Sequence, residues 1–372
     1  MSENKARIEW VDGVRGILTI WIVVFHYYLA FVNKGYVGFE TNYAKNEFMA
    51  AIFDNIPASI FLNSSNFPVG IFMLLVAFIP AHRFFGNQDE DSVVRQAKKR
   101  YTRFMIPTFL SFVVCFILYH AGLLMNVAAG EKLGVRWLSA IMDVDHSFSN
   151  LLYDGLILTY IKGSNYVSAS WIIGYLFIGS YISYAILLLF GRMKNRVPAY
   201  AALLIFFFVY EQMYICFIMG IVAADIIKSR ESRAAKETFY SSFLIIFGLA
   251  LGLVPGIFLP KFLNVYTVSA IAACMLIVGI SENEAVQHLL KNKALYAVSD
   301  CSFVAILFHV PVMAVISCRQ YLIMSDMGIA KNFILLSVFI IAIPAQMLAI
   351  FLFQKLVSAA QRFVHNRIPE FG

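Results

Sequence analysis

The chain has 372 residues, 60% of them hydrophobic and only 14% charged, with a mean hydropathy of +0.75. An average soluble domain carries about 45–50% apolar and 25% charged residues, so the composition excludes a soluble globular enzyme and predicts an integral membrane protein. The formal charge of +7 does not point to nucleic acid, because the basic residues fall mainly in short loops between apolar runs, where membrane topology accounts for them.

In chain order, the apolar runs predict spans at 13–33, 66–82, 104–125, 170–190, 197–210, 212–227, 239–260, 265–281, 299–318 and 332–354. This is an all-α, polytopic transmembrane helical bundle of about ten helices, read as one integral-membrane domain over 1–372 with no separate soluble domain. The first run follows a short charged segment and lacks a small-residue cleavage site, so it reads as an uncleaved first helix. The fifth and sixth are short and joined only by Tyr210-Glu211-Gln212, a pattern that also suits a re-entrant hairpin. Segments 46–62 and 148–162 are too polar or too short to span comfortably and are expected at the interface or folded back into the bundle.

With the N-terminus in the cytoplasm, 21 of the 29 lysines and arginines fall on inner segments and 8 on outer ones. That asymmetry predicts both termini inside, in the plasma (cytoplasmic) membrane. The five cysteines, Cys115, Cys216, Cys274, Cys301 and Cys318, sit in or beside apolar runs without paired spacing, so neither a disulfide framework nor a metal site is expected.

Against this background a few ionisable residues stand out. Asp12-Gly13-Val14-Arg15-Gly16 opens the first span, and His26 follows Arg15 by eleven positions. At about 100° per residue the two side chains return to within roughly 20° of one helical face, about 16 Å apart along the axis. Arg15 then lies at the cytoplasmic edge and His26 near the bilayer middle, an expensive arrangement that marks a functional candidate. His26 suits a general base, since a neutral imidazole titrates near physiological pH; a packing histidine bonded to a neighbouring helix is the plainer alternative. Arg15 reads either as a snorkelling anchor or as the holder of an anion. Asp12, three residues earlier, either orients that guanidinium or caps the helix.

Farther along, Arg100 and Arg103 are neighbours on a helix surface, a spacing that grips phosphate, although Arg95, Lys98 and Lys99 show that the same run also serves topology. His309 lies about ten residues into a span entering from the cytoplasm, at a depth close to that of His26, which suggests a shared polar cavity. A histidine bonding a carbonyl freed by Pro311 is the competing reading. Trp171 and tyrosines near the outer face are suited to stacking on sugar rings; His120 and His146 fall at or beyond the outer interface, Asp143, Asp145 and Asp154 make that surface mildly acidic, and none of them implies a metal.

Asp12-Gly13-Val14-Arg15-Gly16 with His26 resembles the arginine, ten residues, histidine signature of acyltransferase family 3. Arg100-Tyr101-Thr102-Arg103 with Ile106-Pro107 resembles its cytoplasmic double-arginine motif, and Ser302-Phe303 through Leu307-Phe308-His309-Val310-Pro311 resembles its late histidine and proline helix. The likeness covers roughly 8–354. It implies a membrane O-acyltransferase that moves an acyl group, acetyl above all, from cytoplasmic acyl-coenzyme A to a hydroxyl of a lipid-linked or extracytoplasmic polysaccharide. On that reading Arg15, Arg100 and Arg103 hold the donor's phosphates, His26 and Arg15 serve the chemistry, and Asp12, His309 and Trp171 support it. Acetyl-CoA enters as donor substrate and not as a bound cofactor, and partners would be the bilayer, the glycan and polysaccharide synthesis or export proteins. Two departures stand out: Val76-Ala77 replaces a serine-glycine pair common in the family, and Leu176 stands where many members carry a glutamate. They leave open an inactive partner subunit of a polysaccharide export system. A transporter or flippase of a lipid-linked sugar is the rival class, and it predicts symmetric repeats that the sequence does not display.

Overall fold

The computed structural model describes residues 7–32, 66–231, 238–254 and 259–367. Among them the secondary structure is helical throughout, with no strand. Eight helices are long and apolar enough to cross a membrane: Glu9–Phe31, Asn66–Asn87, Glu90–His120, Ser168–Phe190, Gln212–Arg230, Val265–Glu282, Ser302–Asp326 and Lys331–Arg367. Helices Val197–Tyr210 and Phe239–Gly252 are apolar but shorter. The ten predicted runs are therefore all helical, and they differ in length more than the sequence suggested. The sixth is a long helix and not half of a short hairpin, because Glu211 closes the preceding helix and its carboxylate accepts from Met213 N at 3.3 Å, starting the next one.

Segment 46–62 lies outside the described residues. Segment 148–162 forms short helical pieces, Phe148–Tyr153, a π-turn at Asp154–Leu158 and a last turn at Thr159–Ile161. Ser147 starts them by accepting from Asn150 N at 3.3 Å, and a helix of this length is too short to span.

The chain divides into two compact units, each built from segments far apart in sequence. One comprises 1–22, 64–97 and 179–302. In it Ile215–Arg230 packs on Asn66–Asn87 and on Val265–Glu282, which in turn carries Thr238–Gly252. Buried small residues such as Ala77, Ala223, Ala270 and Ala273 line these faces and let the backbones come close, the usual source of helix association where lipid is as apolar as the side chains. Ala77, one of the departures noted above, is fully buried here, so its position is used for packing.

The other unit comprises 23–63, 98–178 and 303–372. There Arg100–His120 packs on the 148–158 pieces and on Ile343–Arg367, and Asn126–Leu133 packs on Arg136–Ala140 and Cys318–Asp326. Two π-turns follow candidate residues: Tyr28–Val32 begins two residues after His26, and Met313–Ser317 begins four residues after His309. π-turns inside helices cluster at functional sites. The second also follows Pro311, which has no N–H to give to the Leu307 carbonyl; Ser111 Oγ donates to that carbonyl instead, at 3.4 Å.

Candidate active site

The first helix is unbroken from Glu9 to Tyr27, so Arg15 and His26 share it as the spacing requires. Their surroundings belong to different units. Around Arg15, the guanidinium donates from Nη1 to Asp12 Oδ1 at 3.2 Å and from Nη2 to Ser302 Oγ at 2.7 Å and the Ser299 carbonyl at 3.4 Å. Asp12 also accepts from Ser299 Oγ at 3.3 Å and from Arg7 Nε, and Arg7 Nη2 reaches Asp300 at 2.9 Å. Partial burial alone would lower the Arg7 pKa, but Asp12 and Asp300 outweigh it and raise it above its ordinary value. Asp12 is thus the hub of an ion-pair network and orients both arginines. Three of the five guanidinium donors of Arg15 are spent in these bonds, leaving two for an anion.

The two glycines of the motif explain how the network forms. A Cβ on Gly13 would stand 2.1 Å from the Leu290 carbonyl oxygen, and one on Gly16 would stand 2.4 Å from that of Leu295. Only glycine lets the first helix lie directly on the backbone of the Glu284–Leu290 and Lys293–Asp300 helices, which brings Ser299 and Ser302 within reach of Arg15.

In the other unit, the rings of His26 and His309 lie 4.6 Å apart, edge to face, and the Trp137 ring lies 5.7 Å from His26. His309 is fully buried. Its Nδ1–H donates to the Ala305 carbonyl one turn back at 2.8 Å, which leaves Nε2 as the ring's lone-pair nitrogen, with no hydrogen-bond partner among the described residues. The carbonyl freed by Pro311 is taken by Ser111, so His309 is not there to repair it. Trp137 sits on the short Arg136–Ala140 helix, held in place by Asn126 Nδ2 donating to the Leu138 and Ser139 carbonyls at 3.3 and 3.2 Å. Nothing in the sequence marked Trp137; a tryptophan in a polar connecting segment between spans was the available signal. Tyr27 adds a second buried polar group, its hydroxyl 2.7 Å from Ser317 Oγ and bonded to Gln346 Oε1.

Arg100 and Arg103 open the helix Arg100–His120. The Arg100 guanidinium lies 4.4 Å over the Phe104 ring, which is itself packed edge-on against Phe303 at 4.9 Å. Tyr101 OH donates to the Leu156 carbonyl at 2.8 Å and pins this turn. Arg103 is exposed and no carboxylate pairs with it among the described residues. Trp171 is 37% exposed at the start of its helix and edge-on to Tyr175 at 6.2 Å. His146, buried between the Tyr119 and Tyr166 rings, bonds the Met142 carbonyl at 3.1 Å, and burial lowers its pKa against that bond. Leu176 is buried, so the position where family members often carry an acid is apolar in this chain.

The family model of the acyltransferase domain, Acyl_transf_3, matches residues 8–354, nearly the whole chain. The chain belongs to acyltransferase family 3. It is therefore an integral membrane acyltransferase. No curated protein and no solved structure matches the chain.

Proposed function

We propose that this family 3 member transfers an acyl group, in the simplest case acetyl, from cytoplasmic acyl-coenzyme A to a hydroxyl of a lipid-linked or extracytoplasmic glycan, with His26 as general base. The observation that carries the reading is the pairing of the half-buried His26 with the fully buried His309, rings 4.6 Å apart, with His309 held in one tautomer by Ala305. An imidazole beside a second imidazole in a polar pocket offers a nitrogen lone pair to an acceptor hydroxyl, which is what a general base needs.

In the proposed reaction His26 removes the proton of the acceptor hydroxyl as its oxygen attacks the thioester carbonyl. The new C–O bond forms, the C–S bond breaks, and the departing thiolate of coenzyme A recovers the proton from His26. Arg100 and Arg103 bind donor phosphates from the cytoplasmic side, where the exposed, unpaired Arg103 is suited to a bidentate contact. The two remaining donors of Arg15 offer a further anion contact. Trp171, exposed at the head of its helix, is suited to stacking on a sugar of the acceptor. Both termini lie in the cytoplasm and the bilayer is the plasma membrane, in keeping with the distribution of basic residues.

The test is to incubate purified protein with acetyl-coenzyme A and follow release of free thiol, and to compare surface glycans of host cells with and without the protein by mass spectrometry. The reading expects thiol release and a gain of about 42 mass units per modified hydroxyl, the mass of an added acetyl less the displaced hydrogen. Neither thiol release nor any glycan mass change would refute it.

A further inference from the structure

The unit that holds Arg15 contains a second polar feature with no part in the reading above. A cleft of 480 Å³ is lined by Arg7, Trp10, His82, Arg83, Lys228 and Lys291 among others, with Glu9 as its one carboxylate. The cations come from four separate stretches of chain. Arg83 is in the last turns of Asn66–Asn87, Lys228 is near the end of Ile215–Arg230, and Lys291 directly follows Glu284–Leu290. Arg7 precedes the first helix.

Cations at helix C-termini offset the macrodipole, which explains one per helix. It does not explain their convergence on a cleft. Their pairing is also incomplete. Lys228 bonds Glu231 at 2.9 and 3.0 Å, and His82 lies 3.6 Å from the same carboxylate. Arg7 is held by Asp12 and Asp300. Lys291 has only Glu9, at 4.0 Å, and the half-buried Arg83 pairs with no carboxylate among the described residues. With Lys228 and Arg7 already paired, the positive charge left in the cleft is that of Arg83 and the weakly paired Lys291, and an entering anion would be drawn to them. Trp10, packed against Phe78 at 6.1 Å, gives the cleft a rigid apolar wall.

We infer that this cleft binds a phosphate-bearing polyanion, held by Arg83 and Lys291 with Arg7 and Lys228 at its sides. Phosphate fits because several charges on one compact group engage several cations, and the planar fork of Arg83 matches two phosphate oxygens. Two sources carry that chemistry: a soluble phosphate ester such as the nucleotide end of a coenzyme, and the headgroup of an anionic lipid drawn to basic helix ends.

The test uses the full chain purified in neutral detergent and three probes: pyrophosphate, coenzyme A and phosphatidylglycerol. Wild type is compared with Arg83→Gln/Lys291→Gln, by titration for the soluble probes and by native mass spectrometry for retained lipid. A loss of tenfold or more in the double variant is expected. Confinement to pyrophosphate and coenzyme A identifies a soluble phosphate ester, and confinement to phosphatidylglycerol identifies a headgroup. A loss for all three marks a cleft open to either source. Arg83→Lys, which keeps the charge but not the fork, should bind more weakly than wild type yet more tightly than the double variant, a graded loss that a folding defect would not give. Lys194→Gln, a basic residue outside the cleft, should change nothing. Equal affinity of wild type and double variant for every probe, or an equal loss in Lys194→Gln, would overturn the inference. Binding is read without turnover, so an enzyme that fails to transfer acyl groups would leave this site standing.

Discussion

Replacing Gly16 by alanine should destabilise the protein although alanine is the better helix former. The added Cβ would lie 2.4 Å from the Leu295 carbonyl oxygen, 3.0 Å from its carbon and 3.1 Å from Leu295 Cα. Ordinary contact is about 3.5 Å, so about 1 Å must be found by moving backbone against backbone. Overpacking of that kind costs about 1–3 kcal/mol, against a gain of about 1 kcal/mol from helix propensity. A shift of that size also breaks the 2.7 Å bond from Arg15 to Ser302 and stretches the 3.4 Å bond to the Ser299 carbonyl, and a charged hydrogen bond is worth about 1.5–3 kcal/mol. The net loss should be roughly 1.5–5 kcal/mol. Gly86→Ala is the internal comparison, because its Cβ would meet only the end of the Lys228 side chain at 3.7 Å; it should be neutral or mildly stabilising. Thermal inactivation half-lives in detergent, read by loss of helical circular dichroism, compare the variants without assuming reversibility. Equal half-lives for Gly16→Ala and Gly86→Ala would refute the close approach.

Lysine at Arg100 or Arg103 keeps the charge that topology requires but not the planar fork, so each variant should insert normally and bind acyl-coenzyme A about ten- to a hundred-fold more weakly, measured by titration; unchanged affinity in both would make these arginines topological. A reporter fused after Arg367 should be cytoplasmic and a tag between residues 140 and 147 external, and finding both on one side would overturn the orientation. Tyr27→Phe removes a hydroxyl bonded to Ser317 and Gln346 in a fully buried position and should cost about 1–3 kcal/mol, seen as a shorter thermal half-life; no change would mean those groups find other partners.

The sequence reveals helices well because the bilayer forces backbone hydrogen bonding into continuous apolar segments, and the run 13–33 accordingly emerges as one helix from Glu9 to Tyr27. It reveals less about lengths, as at 212–227, where the helix continues to Arg230 through Lys228, a charged residue that ends an apolar run without ending a helix. The placement of Arg15 and His26 on one helix followed from spacing alone. Their partners did not. Ser299 and Ser302 lie nearly 300 positions from Arg15, and nothing in the helical spacing joined them to it. The nearness of His309 to His26 was suggested by depth, but the tautomer set by Ala305 and the position of Trp137 depend on side-chain direction and on a short connecting helix. The cationic cleft was invisible for a different reason: its residues are scattered through segments whose charge topology already explained.

The most direct measurement of the proposed chemistry is acyl transfer and donor binding by His26→Ala, reconstituted beside wild type and His309→Ala. A missing base removes the chemical step more than ground-state affinity, so His26→Ala should bind acetyl-coenzyme A within about threefold of wild type and lose turnover by about 10²–10⁴-fold. His309→Ala should fall less, since His309 packs against His26 across a 4.6 Å ring contact and does not itself take the proton. Near-normal turnover in His26→Ala would contradict the account.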